Sequence, residues 1–274
     1  MYASIRDIRV YNEWLPIRVE AEKPAAVNGT VLQLSKRPIV DYDFDGSVLD
    51  DVEVFVDGAR VSPASVDADR GLVALAEPAP QGAEVSVSYF WHPIPDSEIE
   101  LAISKASAEV ELATGRRFTR YLSVERVVLG EGSRVKLGDR IVQVESVKVY
   151  DSGGELIDPA AEFIVEDAEQ GVIRLRRYIA GTPTGPLYLP SVIEVEVTYV
   201  AGYAETPQHI RQYTILAATY EVLLRFQRLL QVERSYGEAA LVVRAPEGLR
   251  ERLEYLRDEV ERFRRLLPKP VRRV

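Results

Sequence analysis

The chain contains no cysteine among its 274 residues. Disulfides, thiolate nucleophiles and thiolate metal sites are therefore excluded together. Histidine is almost as scarce: His92 and His209 are the only two. That leaves little for histidine metal sites or acid–base dyads. No apolar run approaches the ~18–20 residues of a bilayer-spanning helix, so no membrane association is expected. Met1-Tyr2-Ala3-Ser4-Ile5-Arg6-Asp7 lacks the apolar stretch of a signal peptide, which points to a chain made and used inside a cell. There is no phosphate loop, no Gly-x-Gly-x-x-Gly and no Gly-x-Ser-x-Gly elbow.

What is present is ordinary for a globular protein: 46% hydrophobic and 28% charged residues. The formal net charge is −9, and it is unevenly spread. The first hundred residues carry most of the acidic excess. From Arg262 onward every charged residue is basic: Arg262, Arg264, Arg265, Lys269, Arg272 and Arg273. Such asymmetry fits opposite partners for the two ends, or a solvated helix end whose cations suit the helix dipole. The acidic balance argues against sequence-specific nucleic-acid binding.

Residues before Asp96 read as a small antiparallel β domain. Val52-Glu53-Val54-Phe55-Val56 alternates and runs into the hairpin signal Asp57-Gly58. Leu72-Val73-Ala74-Leu75 and Ala83–Tyr89 are further strands, with Thr30–Leu34 and Ile39–Phe44 as candidates upstream. Pro93-Ile94-Pro95 marks a boundary. Ser97 and Glu100 have capping-box spacing, and Ile99, Ile103, Ala106 and Val110 share one helical face. Gly115 can supply the left-handed residue that stops the helix.

A second β segment runs from Arg140 to Tyr199 and echoes the first. Each has a strand, a Gly-containing turn, an acidic stretch, Gly-Leu-Val-Ala-Leu or Gly-Val-Ile-Arg-Leu, and a closing strand ending in Ser-Tyr or Thr-Tyr. The pattern predicts an internal repeat of one β unit. A helix follows, with Thr206 and Pro207 at its start. It is expected to break at Ser235-Tyr236-Gly237. A last helix begins near Ala245-Pro246 and carries the stripe Leu249, Leu253, Leu256, Val260, Phe263 and Leu267. The expected fold class is α+β: a helical core with an inserted antiparallel β segment, a small antiparallel β domain before it and a long C-terminal helix after it. The expected domains are 1–93, 94–232 and 233–274.

Candidate chemistry is sparse. Asp41, Asp43, Asp45 and Gly46 spell the opening of a calcium loop, but the twelfth position is Val52 where an EF-hand needs a bidentate Glu. The favoured reading is a strand with Tyr42 and Phe44 facing in and the aspartates facing water, so no metal or other cofactor is expected. His92 lies beside Trp91 and Pro93, where packing suits it better than catalysis. Nothing singles out a pair of carboxylates. No enzymatic activity is expected.

Two motifs carry a resemblance. Thr114-Gly115-Arg116-Arg117-Phe118 ends the first helix. Val197-Thr198-Tyr199-Val200-Ala201-Gly202-Tyr203 closes the β segment, with Pro207 opening the next helix. In order and spacing, the stretch Asp96–Leu230 resembles the head–tail connector (adaptor, or head-completion) proteins of long-tailed bacteriophages. The β domain before Asp96 and the basic-tailed last helix depart from that pattern. The resemblance implies a structural virion protein of the neck, assembled in the host cytoplasm. It implies a homo-oligomeric ring, commonly twelve-fold, below the portal protein, with tail or neck proteins as further partners. Double-stranded DNA would pass through the lumen without specific binding. It also implies portal docking through C-terminal segments, for which Leu256, Val260, Phe263, Arg264, Arg265, Leu267, Arg272 and Arg273 are the candidates. A carbohydrate-binding or glycan-processing β protein, or another neck or tail component, is the alternative reading.

Overall fold

A computed structural model describes residues 1–26, 28–129, 133–151, 153–176, 193–232 and 247–268. Over these the chain is α+β, with four helices and fifteen strands in antiparallel sheets. Contacts divide it into two compact units. One gathers Met1, Ala3–Ala108 and Gln212–Leu266; the other is built on Glu109–Arg211 together with Tyr2.

The first unit opens with α1 (Ile5–Asn12), which the sequence reading did not anticipate. The Ser4 hydroxyl accepts from the Asp7 N–H while the Asp7 carboxylate accepts from the Ser4 N–H, a complete capping box. Eight strands follow: β1 (Ile17–Glu22), β2 (Ala25–Ala26), β3 (Val31–Gln33), β4 (Glu53–Val56), β5 (Ala59–Val61), β6 (Pro63–Asp67), β7 (Leu72–Leu75) and β8 (Val85–Trp91). They form sheets ordered β1-β8-β4-β5 and β2-β3-β7-β6. Asp57 and Gly58 turn β4 into β5 with φ of 49° and 79°, the left-handed pair that suits a tight hairpin. Alternation along the strands sends Leu32, Val54, Val73, Val87 and Tyr89 into one buried core.

Helix α2 (Asp96–Thr114) buries Ile99, Ile103, Ala106 and Val110, the expected face. It starts at Asp96, so Ser97 lies inside the helix. The Ser97 hydroxyl donates to Asp69 (3.1 Å), and the expected Ser97–Glu100 capping box is not formed. Asp96 holds the start of the helix instead. Its carboxylate accepts from Arg9 at 2.7 and 2.9 Å and from the Asp41 N–H at 3.0 Å. Arg9 is fully buried and also donates to the carbonyls of Ile94 and Trp14. A buried guanidinium is tolerated because its donors are matched.

The second unit holds β9 (Tyr121–Val128), β10 (Arg134–Lys136), β11 (Ile141–Tyr150), β12 (Leu156–Asp158), β13 (Phe163–Asp167), β14 (Val172–Leu175) and β15 (Glu194–Ala201). Their sheets run β12-β11-β15-β9 and β10-β14-β13. Apart from β2, which has no counterpart among the described residues, this is the topology of the first unit, with β9 in the place of β1, β10 of β3, β11 of β4, β12 of β5, β13 of β6, β14 of β7 and β15 of β8. Individual hydrogen bonds repeat as well. Leu34 N donates to Gly71 O as Leu137 N donates to Gly171 O (2.9 and 2.8 Å), and Ile39 N to Ala68 O as Ile141 N to Ala168 O (2.9 and 2.8 Å). Tyr89 donates to Glu22 on β1 as Tyr199 donates to Glu125 on β9. The internal repeat expected from the sequence is thus present in the fold.

Helix α3 (Gln208–Val232) buries Ile210, Tyr213, Thr214, Leu216, Ala218, Thr219 and Val222, far more than one stripe. It is the helix expected after Thr206 and Pro207, and a helix buried on most sides is only weakly amphipathic. Helix α4 (Glu247–Arg264) lays Leu253 and Leu256 against Leu216 and Leu223, with Leu249, Val260 and Phe263 packed around them. Burying each such leucine contributes about 1.5–3 kcal/mol. The break at Ser235-Tyr236-Gly237 and the start at Ala245-Pro246 lie outside the described residues.

Candidate functional site

The two motifs picked out in the sequence meet in space within the second unit. At the end of α2 the Thr114 hydroxyl donates to Val110 O (2.7 Å). Gly115 takes φ of 64°, and its N–H donates to Glu111 O at 2.8 Å. It therefore ends the helix as expected, because only glycine enters this region without strain. The reversal drives Phe118 into the interior, where it is fully buried.

There Phe118 stacks on Tyr203 of the second motif, ring centroids 5.3 Å apart. Tyr2 closes the other side, edge-on to Phe118 at 5.8 Å. The Tyr2 hydroxyl accepts from the Phe118 N–H (3.1 Å) and donates to Glu111 (2.7 Å). Burial, then this bond to Glu111, pushes the Tyr2 hydroxyl well above the ordinary phenol range. Gly202 explains the Ala-Gly-Tyr spelling. Its φ is 95°, its N–H donates to Arg140 O (3.1 Å), and a Cβ there would lie 2.1 Å from Thr119 O. Only glycine lets the two chain segments pass so closely. Pro207 accepts the first bonds of α3 from Ile210 and Arg211 through its carbonyl, both 3.0 Å.

A cavity of about 180 Å³ opens beside this junction, lined by Arg116, Arg117, Lys136, Asp139, Arg140 and Glu169 among others. Its charges are largely matched. Arg140 pairs with Glu169 at 2.6 Å and lies 4.8 Å over the Tyr203 ring. Arg117 reaches Glu111 and lies over Tyr121, and Lys136 donates to Gln170 O. Such a set orients a junction; it does not present a nucleophile with a base.

The other candidates resolve into structural roles. His92 is buried, with Nδ1 accepting from the Ile94 N–H at 3.1 Å. Burial first, then nearby Arg9, lowers its pKa and favours the neutral ring. His209 stands exposed in the first turn of α3. Ile39–Phe44 is not the expected strand: beyond a single bridge from Ile39 to Trp91, the segment is a loop. Asp43 and Asp45 face water as expected, but Asp41 is buried, Tyr42 is exposed, and Phe44 is half-buried with φ of 65°. The reversal at Asp41 and Tyr42 has a local cause. Asp41 accepts from the N–H groups of Phe44 and Gly46 (2.6 and 2.7 Å), and Asp45 accepts from Ser47 (2.7 Å). These turn-forming bonds compete with a ladder. Asp41, Asp43 and Asp45 do converge; both oxygens of Asp41 and one each of Asp43 and Asp45 accept from the loop's own N–H groups.

The C-terminal candidates divide. Leu256 is fully buried within the chain's own core, while Val260 and Phe263 are half-buried on the same cluster. Arg264, which reaches Glu261 at 3.4 Å, and Arg265 are exposed; Leu267 is half-buried. Arg272 and Arg273 lie outside the described residues. The sequence reading missed Tyr2 and Arg140 at the junction, for which no local signal existed. It also missed β9, whose alternation Tyr121-Leu122-Ser123-Val124-Glu125-Arg126-Val127-Val128 was there to be read.

No protein-family model matches this chain, and no curated protein does. Among the solved structures that this chain matches are chains of gene transfer agent (GTA) particles. One is a chain in the neck of an empty GTA particle computed with C6 symmetry, 17% identical, covering 65% of this chain and 80% of that one at a TM-score of 0.34. A second, from the virion of a native GTA particle, is 16% identical over 65% and 80% with a TM-score of 0.31. A third, from the neck of a native GTA particle computed with C12 symmetry, is 17% identical over 65% and 85% with a TM-score of 0.32.

Proposed function

We propose that this chain is a structural subunit of a phage-type neck, a head–tail adaptor that forms a ring below the portal and continues the DNA channel. The observation that carries the reading is the junction itself. Thr114–Phe118 and Gly202–Tyr203, far apart in sequence, close on one another through the Phe118–Tyr203 stack and the glycine contact at Thr119. The motifs that suggested the connector resemblance therefore serve one structural purpose. They bind the end of one core helix to the end of the β insertion.

The rest of the chain fits an inert part. The net charge of −9 suits a channel that DNA traverses without adhering, since phosphate neutralisation drives adhesion. Among the described residues, no group at the junction is positioned for acid–base or nucleophilic work. The portal-facing surface is assigned to Val260, Phe263, Arg264, Arg265 and Leu267, with Arg272 and Arg273, outside the described residues, as further candidates; Leu256 supports this face from beneath. Arginines at such a surface suit carboxylates on a partner.

Electron microscopy of the purified chain, alone and mixed with a portal ring, tests the proposal. Rings that stack on the portal are expected. A chain that stays monomeric and never binds the portal overturns it. Deleting Pro268–Val274 is expected to weaken docking more at low salt than at high salt. Unchanged docking removes the tail from the assigned surface.

A further inference from the structure

We propose that His92 is a proton-operated latch on the joint between β8 and α2: the neutral ring holds the joint closed, and protonating the ring opens it. The inference concerns the first unit alone and does not depend on the neck reading.

The joint is His92-Pro93-Ile94-Pro95, between the end of β8 at Trp91 and the start of α2 at Asp96. Proline has no N–H, so Ile94 carries the only amide hydrogen between the histidine and the helix. Ile94 is buried, and its N–H donates to Nδ1 of His92 at 3.1 Å. A ring nitrogen that accepts carries no proton, so this ring is neutral with its hydrogen on Nε2. The carbonyl of Ile94 has a different partner, Arg9 Nη2 at 3.0 Å. Arg9 also holds Asp96 and the Trp14 carbonyl. The ring and the arginine thus fix the two polar groups of one residue.

Protonation acts against each of these contacts. An imidazolium donates from both nitrogens. Its Nδ1–H would face the Ile94 N–H and leave a buried amide hydrogen without an acceptor. The carbonyl within reach, Ile94 O at 3.4 Å, is already held by Arg9. The new charge would also be kept from water, since His92 is only 8% exposed. Arg9, from α1, repels it, and Asp96, at the start of α2, attracts it. Asp96 is committed elsewhere: one oxygen accepts from Arg9 and the other from the Asp41 N–H. The Asp41 carboxylate is turned into its own loop. Burial first, then Arg9, outweighs Asp96, so the ring's pKa moves down. Opening the joint returns the ring and the Ile94 N–H to water, which relieves both penalties. A buried histidine set against a fixed charge is a recurrent form of pH switch.

The folded state binds this proton less readily than the unfolded chain does. Its stability is therefore complete above the ordinary histidine value of ~6.5 and falls as pH drops below it. For a ring that stays neutral when folded, the folding constant declines about tenfold between about pH 7.5 and 5.5. Asp51 acts in the opposite sense, so the readout is the difference between wild type and a His92 variant, in which Asp51 cancels.

The chain's two tryptophans both report on the ring. Trp91 precedes it, and Trp14 lies 6.3 Å away, centroid to centroid. Both indoles are half-buried. Imidazolium quenches indole emission, so lost intensity reads the charge, while a red shift reads water reaching the rings. The test is an acid titration of the full chain, followed by tryptophan emission, proton NMR of the two histidine rings and urea midpoints. His209→Gln assigns the NMR signals. The His92 signal is expected to hold its neutral position well below ~6.5, then to move together with quenching and a red shift while far-UV circular dichroism is unchanged. In His92→Asn, Oδ1 accepts from the Ile94 N–H without titrating. That variant is expected to lose the emission step and to gain on the wild-type midpoint as pH falls. A His92 signal that titrates at about 6.5 overturns the latch. So does quenching without a red shift, or a His92→Asn chain that follows the wild type in both readouts. The NMR reading uses the unsubstituted ring, so it decides the matter even where His92→Asn does not fold.

Discussion

Replacing Gly202 with alanine tests the junction most directly. Two costs arise. The first is conformational: φ is 95° at this residue, and an L side chain held at positive φ costs about 1–2 kcal/mol. The second is steric. The added Cβ would stand 2.1 Å from Thr119 O and 3.0 Å from its carbonyl carbon. Backbone cannot swing aside as a side-chain tip can, and overpacking of this kind costs about 1–3 kcal/mol. The sum is ~2–5 kcal/mol, a large share of a typical domain's stability. Gly154 provides the control within the same unit. Its φ is 83°, yet the nearest atom a Cβ would meet is Arg126 Nη2 at 3.9 Å. Gly154→Ala should therefore lose only the conformational part, about 1–2 kcal/mol. Urea unfolding followed by tyrosine fluorescence reads both, with the midpoint falling and the slope unchanged. Equal losses in the two variants would refute the close approach of the motifs, and with it the structural argument for the connector reading.

Two more perturbations act on the first unit. Arg9→Met leaves the Asp96 carboxylate, Ile94 O and Trp14 O without their shared donor; breaking one side of a buried ion pair costs about 3–5 kcal/mol. A calorimetric unfolding transition unmoved by Arg9→Met would show that the strut is idle. Asp51 has its pKa pushed up to about 6, first by burial and further by the charges of Asp41, Asp43 and Asp50, against the Tyr42 N–H that lowers it. Its folded pKa lies above its unfolded value, so the folded state binds the extra proton and stability declines as pH rises from about 4 to about 6. Asp51→Asn should lack that part of the decline, so the variant gains on the wild type across this window in a pH series of denaturation midpoints. Parallel curves would remove Asp51 as the source.

Much of the architecture could be read locally. The α+β order, the Gly115 helix stop, the α2 face through Ile99 and Ile103, and the repeat of the β unit all follow from spacing and turn chemistry. Misreadings arose where local rules compete. Ser97 matches a capping box, but the Asp96 carboxylate, anchored by Arg9 from a distant helix, sets the start one residue earlier. Ile39–Phe44 alternates like a strand, yet aspartate side chains satisfy the backbone first and turn Tyr42 outward. The Leu249–Phe263 stripe was correctly apolar, but a stripe does not say what covers it, and α3 supplies Leu216 and Leu223.

The sequence by itself determined the absence of thiol chemistry, the sparse histidine, the acidic balance with its basic end, and the two glycine-bearing motifs. Each of these is a property of composition or of a few adjacent residues. Only the tertiary structure decided that Phe118 and Tyr203 stack and that Leu256 is buried in the chain's own core. Periodicity records which side of an element is apolar. Which surface meets that side depends on pairings between distant segments, and no local pattern encodes them.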